Sequence, residues 1–310
     1  MAERMVEIDG VELCTESFGD PADRPVLLVM GAGASMLWWE EGFCRLLAEG
    51  GRFVVRYDHR DTGRSVCHPP GRPGYTGADL VEDAARVLDA RGIAAAHVVG
   101  VSAGGAFAQL LALTHPDRVR SLVLISTSPA VPGDRELPPP TEEFTRFLPA
   151  APCDRSDLDA VIEHQVAYAC LLAGGRRPFD RAAARRLIRR DLERARDIAA
   201  ARNHDSLPDG GPAPAPLSSI TAPTLVIHGS ADPVFPLRHG EALAEQIPGA
   251  RLLTLPDAGH GVERADWPTI VTAVLAHTGA TRTDRAGDRP QAETRPSAPG
   301  SRRPPAGRRR

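Results

Sequence analysis

Along this chain, short apolar runs alternate with longer stretches in which apolar positions recur every three or four residues. The runs are PVLLVMG (25–31), RFVVRYD (52–58), AHVVGVS (96–102), SLVLIST (121–127), PTLVIHG (223–229) and ARLLTLP (250–256). They are rich in Val, Leu and Ile and do not alternate with polar positions. Strands of that kind are covered on both faces, as in a parallel sheet. VEIDGVELCTESFG (6–19) is different: it alternates about Asp9-Gly10, a hairpin signal that predicts an antiparallel start to the sheet. Helical periodicity covers about 39–49, 78–91, 103–114 and 266–277. In DLVEDAARVLDARG, Leu80, Val81, Ala84, Ala85, Val87 and Leu88 form one stripe, and Gly92 follows as a stop. The pattern predicts an α/β architecture: a mostly parallel eight-stranded sheet flanked by helices. In such sheets ligands bind beyond the C-terminal ends of the strands.

The interval from Thr127 to Thr224 breaks the rhythm. It opens on PAVPGDRELPPP, shows helical patterns at about 141–148, 155–172 and 179–202, and closes on PDGGPAPAP. A plain connection needs only a handful of residues, so an inserted helical lid is expected. The organisation read from the pattern is a core in two parts, 1–128 and 219–279, a helical lid at 129–218, and a tail at 280–310. The tail is Arg, Pro, Gly, Thr and Ser, too poor in apolar surface to offset ordering, and is expected to be disordered.

Composition narrows the function classes. The chain has 310 residues, 42% hydrophobic and 25% charged, with a formal net charge of −3, so nucleic acid is not an expected partner. All its basic residues are arginines, and nine of them lie in 278–310 against Asp284, Asp288 and Glu293. Cys14, Cys44, Cys67, Cys153 and Cys170 are odd in number and scattered, with no CxxC pair, which argues against a disulfide framework or zinc site. MAERMVEIDG has no apolar run, and no stretch approaches the roughly 18 apolar residues of a membrane span. A reduced, cytoplasmic protein with no membrane partner is expected.

The chemistry centres on VVGVSAGGAF (98–107). A Val-rich strand turns there into a small-residue helix, with Ser102 at the corner between Gly100 and Gly104. G-x-S-x-G in that context is a nucleophile elbow: the corner is strained, and glycines on either side leave room for it. A helix N-terminus behind the serine favours negative charge. Serine needs a base, and the base an orienting acid. Of ten histidines, His260 in LPDAGHGVE follows the last strand, at the same sheet edge as Ser102. His228 is its rival but is still within a strand; the others lie in loops, on helices, or at the wrong end of a strand. Asp232, in HGSADPVFP, is the expected acid, and Asp257 is expected to shape its own turn. The chain order is Ser…Asp…His. The oxyanion hole is expected from the Ala103 N–H and, in the loop VMGAGAS, the Ala32 N–H, where Gly31 permits close approach. Trp38 and Trp39 are candidates for an apolar pocket; for at least one of them, covering the core is the simpler reading.

Across about residues 6–278 the chain resembles the α/β-hydrolase superfamily, through VMGAG, DHRDTGRS (58–65), GVSAG, HGSADPVFP and DAGH. More narrowly, VVRYDHRDTGRS, AHVVGVSAGG and APTLVIHGSADPVFP look like the aclacinomycin methylesterase group, actinobacterial enzymes that cleave a carboxymethyl ester on an anthracycline polyketide. The resemblance implies an α/β-hydrolase fold, the triad Ser102, Asp232 and His260, and the donors Ala32 and Ala103. It implies a serine hydrolase of a small-molecule carboxylic ester that needs no cofactor or metal. Two positions depart from the group: Ala103 follows the serine where the methylesterases carry Met, and Met30-Gly31 stands for the common His-Gly. The same triad also serves perhydrolases, lactonases and C–C bond hydrolases, and some members of the fold are non-catalytic small-ligand receptors. DHRDTGRS, with Asp61, is expected to be a structural loop.

Overall fold

The computed structural model describes residues 2–131, 133, 136–147, 157–208, 210–211 and 214–279. The tail expected to be disordered, 280–310, lies outside the described residues. At the N-terminus, β1 (Arg4–Ile8) and β2 (Val11–Phe18) pair antiparallel. Between them Asp9 (φ 53°) and Gly10 (φ 77°) adopt the left-handed pair that a two-residue hairpin requires. The other strands are β3 (Arg24–Val29), β4 (Arg52–Tyr57), β5 (Ala96–Val101), β6 (Val119–Ile125), β7 (Thr224–Gly229) and β8 (Arg251–Leu255). They form one eight-stranded sheet in the order β1-β2-β4-β3-β5-β6-β7-β8, parallel from β4 onward.

The unbroken apolar runs follow from the sheet's two covered faces. Val98, Leu122, Leu124 and Val226 pack on one side with Val81 and Leu88 of α2 (Gly77–Ala90) and Leu111 of α3 (Ala103–Thr114). Their neighbours Val99, Val123, Ile125 and Ile227 pack on the other. There they meet Phe43 and Leu47 of α1 (Glu41–Glu49) and Ile270 and Val274 of the C-terminal helix. Each such side chain contributes about 1.5–3 kcal/mol when fully buried.

Between β6 and β7 the insertion carries α4 (Glu142–Phe147), α5 (Leu158–Leu172) and α6 (Arg181–Arg194). The helix expected over 179–202 is interrupted. Ala195 is extended (ψ 138°), the Arg196 N–H donates to Gly63 O at 2.8 Å, and a 3-10 segment follows at Ala200–Ser206. One helix was not expected from the pattern: α7 (Arg238–Gln246), between β7 and β8. The last helix is α8 (Trp267–Gly279). No helix among the described residues is long and apolar enough to cross a membrane.

Candidate active site

Ser102 stands where β5 meets α3, with φ 54° and ψ −126°. A non-glycine residue held there stores about 1–3 kcal/mol of backbone strain. The surrounding glycines are needed because the corner is crowded. A Cβ on Gly100 would stand 2.3 Å from Gly104 O, and one on Gly104 would stand 2.3 Å from Val29 O and 2.4 Å from Met30 O. The corner is held from β6: the Ser102 N–H donates to Ile125 O at 3.0 Å, and Thr127 Oγ1 donates to Ser102 O at 2.7 Å.

Asp232 follows β7 and His260 follows β8. His260 Nδ1 and Asp232 Oδ2 are 2.8 Å apart, so the ring donates its Nδ1 proton to the carboxylate and leaves Nε2 as its acceptor. The other carboxylate oxygen accepts the Val234 and Phe235 N–H groups at 2.8 and 2.9 Å. Burial would raise this carboxyl, but the His260 charge and hydrogen bond, then the Phe235 N–H, outweigh it and hold it below the usual range. Asp232 is therefore a fixed anion. His228, the rival base, is fully buried, 2.7 Å from Phe235 O through Nε2 and 3.6 Å from Asp232. It braces the Asp232 turn from within the fold. Asp257 is exposed, with φ 56°, in the turn after β8.

The loop Met30–Ser35 runs beside the serine. A Cβ on Gly31 would be 3.2 Å from Ser102 Cβ and 3.8 Å from Oγ. Ala103 is the first residue of α3, a position whose N–H has no carbonyl within the helix to bond. Ser102, His260, Gly31 and Ala32 all line one cavity of about 460 Å³. Its far wall is aromatic: Phe147 stacks on His164 (centroids 5.0 Å apart) and on Tyr168 (5.9 Å).

The two tryptophans divide. Trp39 is 1% exposed and stacks on Phe43 at 5.6 Å, so although it borders the cavity it is mainly core. Trp38 is half-buried on the cavity wall and packs against the insertion's own apolar cluster around Ile162, Val166 and Ile188. Its indole N–H donates to Asp191 Oδ2 at 2.8 Å. Asp61, in DHRDTGRS, is buried and accepts from Tyr75 Oη (2.8 Å) and Asn203 Nδ2 (2.7 Å), joining that loop to the insertion.

Sequence reasoning missed how much the insertion touches. The His260 N–H donates to Leu172 O, at the end of α5, at 2.7 Å. The Gly33 N–H donates to His204 Nδ1 at 2.9 Å. Asp191 of α6 also accepts the Ser35 hydroxyl. A signal for Asp191 existed: it sits among Arg residues but on the stripe of Ala184, Ile188 and Leu192, where a charge is out of place.

Two family models match, one described as the alpha/beta hydrolase fold over residues 24–154 and one as a TAP-like protein over 200–285. Over 90% of its length the chain is 35% identical to a rhodomycin D methylesterase of Streptomyces sp. strain C5, of which 99% is matched. It is 34% identical to a rhodomycin D methylesterase of Streptomyces peucetius, with coverage of 90% and 99%. The chain belongs to the α/β-hydrolase superfamily. Within it the hydrolase stands with the anthracycline methylesterases, and it is a carboxylic ester hydrolase. A solved hydrolase from Pseudomonas aeruginosa matches with a TM-score of 0.66 and 29% identity, over 90% of this chain and 98% of that one. An esterase from a Rhodococcus species matches with a TM-score of 0.69 over 91% and 100%; at 24% identity it speaks for the fold alone.

Proposed function

We propose that this hydrolase removes the alcohol from a methyl ester of a small, flat, polyketide-like carboxylic acid, through an acyl-enzyme on Ser102. His260 Nε2 takes the Ser102 proton as Oγ attacks the ester carbon, then gives it to the departing methoxide. Water attacks the acyl-enzyme with the same base, releasing the acid and restoring Ser102. Asp232 keeps the imidazole in the tautomer that presents Nε2 and stabilises it when protonated. The Ala32 and Ala103 N–H groups receive the oxyanion, the kind of interaction worth about 2.7–4 kcal/mol per donor.

The observation that carries this reading is the 2.8 Å His260–Asp232 bond on loops that open, with the strained Ser102, on one cavity. The stacked Phe147, His164 and Tyr168 support a flat aromatic acyl group, and the full-length methylesterase relatives support a methyl ester. The insertion, 129–218, is read as the lid that sets substrate size. Cys14, Cys44, Cys67 and Cys170 are free thiols, which suits a reducing cytoplasm.

The test is to incubate the protein with methyl esters of polycyclic aromatic carboxylic acids and with p-nitrophenyl acetate. Methanol release is expected, together with an acetyl mass on the Ser102 peptide after rapid acid quench of the unaltered protein with p-nitrophenyl acetate. A Ser102→Ala variant that keeps a tenth of the activity overturns the assignment.

A further inference from the structure

The bonds that hold the Met30–Trp38 segment come largely from across the cavity. Asp191 on α6 spends both carboxylate oxygens on it, one accepting the Ser35 hydroxyl and the other the Trp38 indole N–H at 2.8 Å. Ser35 Oγ in turn accepts the Leu37 N–H at 3.2 Å, so the hydroxyl couples Asp191 to the turn that ends the loop. Three residues on, Arg194 pairs with Asp58 at 2.7 Å, and the other oxygen of Asp58 accepts the Met36 N–H at 2.8 Å. The same helix therefore grips the segment twice, once directly and once through Asp58. Behind the loop, His59 Nε2 donates to Met30 O at 2.9 Å.

We propose that Asp191 is a positioning residue for ester hydrolysis: through Ser35 and Trp38, α6 sets where the Gly31–Ala32 backbone stands relative to Ser102. The proposal rests on the reading of Ala32 as an oxyanion donor. A buried carboxylate on an apolar stripe is costly unless its bonds are made, and here, among the described residues, both of its hydrogen bonds go to the segment that follows Ala32. Asp191 touches no reacting atom. Its effect is on the placement of an N–H that must meet the oxyanion within a few tenths of an ångström.

The experiment uses the full chain with p-nitrophenyl acetate, a substrate too small to need the aromatic wall. Active sites are counted by the end-point of fluorophosphonate labelling. For Asp191→Ala, kcat per counted site is expected to fall by roughly 10- to 100-fold with KM within about threefold, the scale of a misplacement near 1 Å. The affinity of methylboronic acid, whose adduct with the serine mimics the oxyanion, should fall by a similar factor. Asp191→Asn should recover most of the loss, since its amide oxygen accepts from Trp38 and its amide N–H donates to Ser35 Oγ. Ser35→Ala with Trp38→Phe should reproduce Asp191→Ala, and adding Asp191→Ala to that pair should cost nothing more. If Asp191→Ala does not fold, Asp191→Leu and the Ser35→Ala, Trp38→Phe pair are read in the same way. An unchanged kcat per counted site, with only the melting temperature or the labelled fraction lowered, makes Asp191 a structural bolt and overturns the proposal. A loss confined to KM overturns it too. Failure of the underlying reading looks different: Ser102→Ala stays active, or methylboronic acid does not compete with substrate in the unaltered protein.

Discussion

Around Ser102 the sheet domain aims its residue by what it leaves out. Gly31, Gly100 and Gly104 clear the space: backbone atoms lie 2.3–2.8 Å from the missing Cβ atoms of Gly100 and Gly104, and the Ser102 Cβ lies 3.2 Å from that of Gly31. The insertion works with polar groups instead: Asp191 on Ser35 and Trp38, Arg194 on Asp58, His204 on Gly33, and the Leu172 carbonyl on His260. Among the described residues, its own apolar cluster has four buried members, Ile162, Val166, Ala169 and Ile188. Close packing is indifferent to protonation, whereas directional bonds between ionisable groups are not. The two regions that border the cavity should therefore respond differently to mutation, acid and substrate shape.

The largest effect should come from the sterically fixed side. Ser102→Ala is expected to lower kcat by about 10⁵–10⁶-fold while leaving the melting curve in place, read by initial rates and calorimetry. Next is the polar side. Arg194 is 6% exposed against an Asp58 that is fully buried, so Arg194→Met leaves a buried carboxylate without its cation. Loss of one partner of such a pair costs about 3–5 kcal/mol, measurable as a lower urea midpoint. If stability survives Arg194→Met, the insertion is held by its apolar contacts and the two regions do not differ in this way.

Acid should act next. Burial, then the neighbouring His204, pushes His59 down to about 3, against the carbonyl of Met30. The folded state refuses a proton that the unfolded chain accepts below about pH 6.5. The stabilisation is complete above that value and is lost progressively as pH falls toward the folded-state value. Near pH 4.5 the deficit from His59 alone is about 2.7 kcal/mol, and His204 and His228, shifted down by the same cause, act in the same direction. Chemical denaturation across this range should show the slope, and His59→Gln should flatten it. An equal slope in His59→Gln would assign the acid loss elsewhere. The smallest effect belongs to the aromatic wall. Phe147→Ala should change the ratio of kcat/KM between a polycyclic and an acetyl ester by roughly 10- to 200-fold, with p-nitrophenyl acetate turnover near that of the unaltered protein.

The sheet was legible because its signals are local. An apolar run, an Asp-Gly turn and a serine between glycines each declare themselves within ten residues, and Ser102, Asp232 and His260 all end up bordering or bracing one cavity. What was not legible depends on partners far away in the chain. Nothing in RRDLERARD announces a break after Arg194, because the Arg196 N–H leaves the helix for Gly63 O, supplied from the other side of the sequence. Asp191 and Ser35 are 156 residues apart. The helix Arg238–Gln246 is hidden by Gly240, which reads as a breaker. In the fold that glycine lies against the His228 ring, where a Cβ would stand 2.8 Å away.

The hydrogen bond from His260 N–H to the Leu172 carbonyl bears on how this scaffold can be recombined. A cassette exchange that cuts at 129 and 218 treats everything between as interchangeable cargo, yet it would also replace the acceptor for His260 and the partners of Ser35 and Gly33. A chimaera built to broaden substrate range would fare better with junctions inside the insertion. Keeping 169–175 and 188–206 with the sheet leaves Leu172, Asp191, Arg194 and His204 native. The exchangeable part then shrinks, and it still includes the stretch carrying Phe147, His164 and Tyr168, which line the cavity.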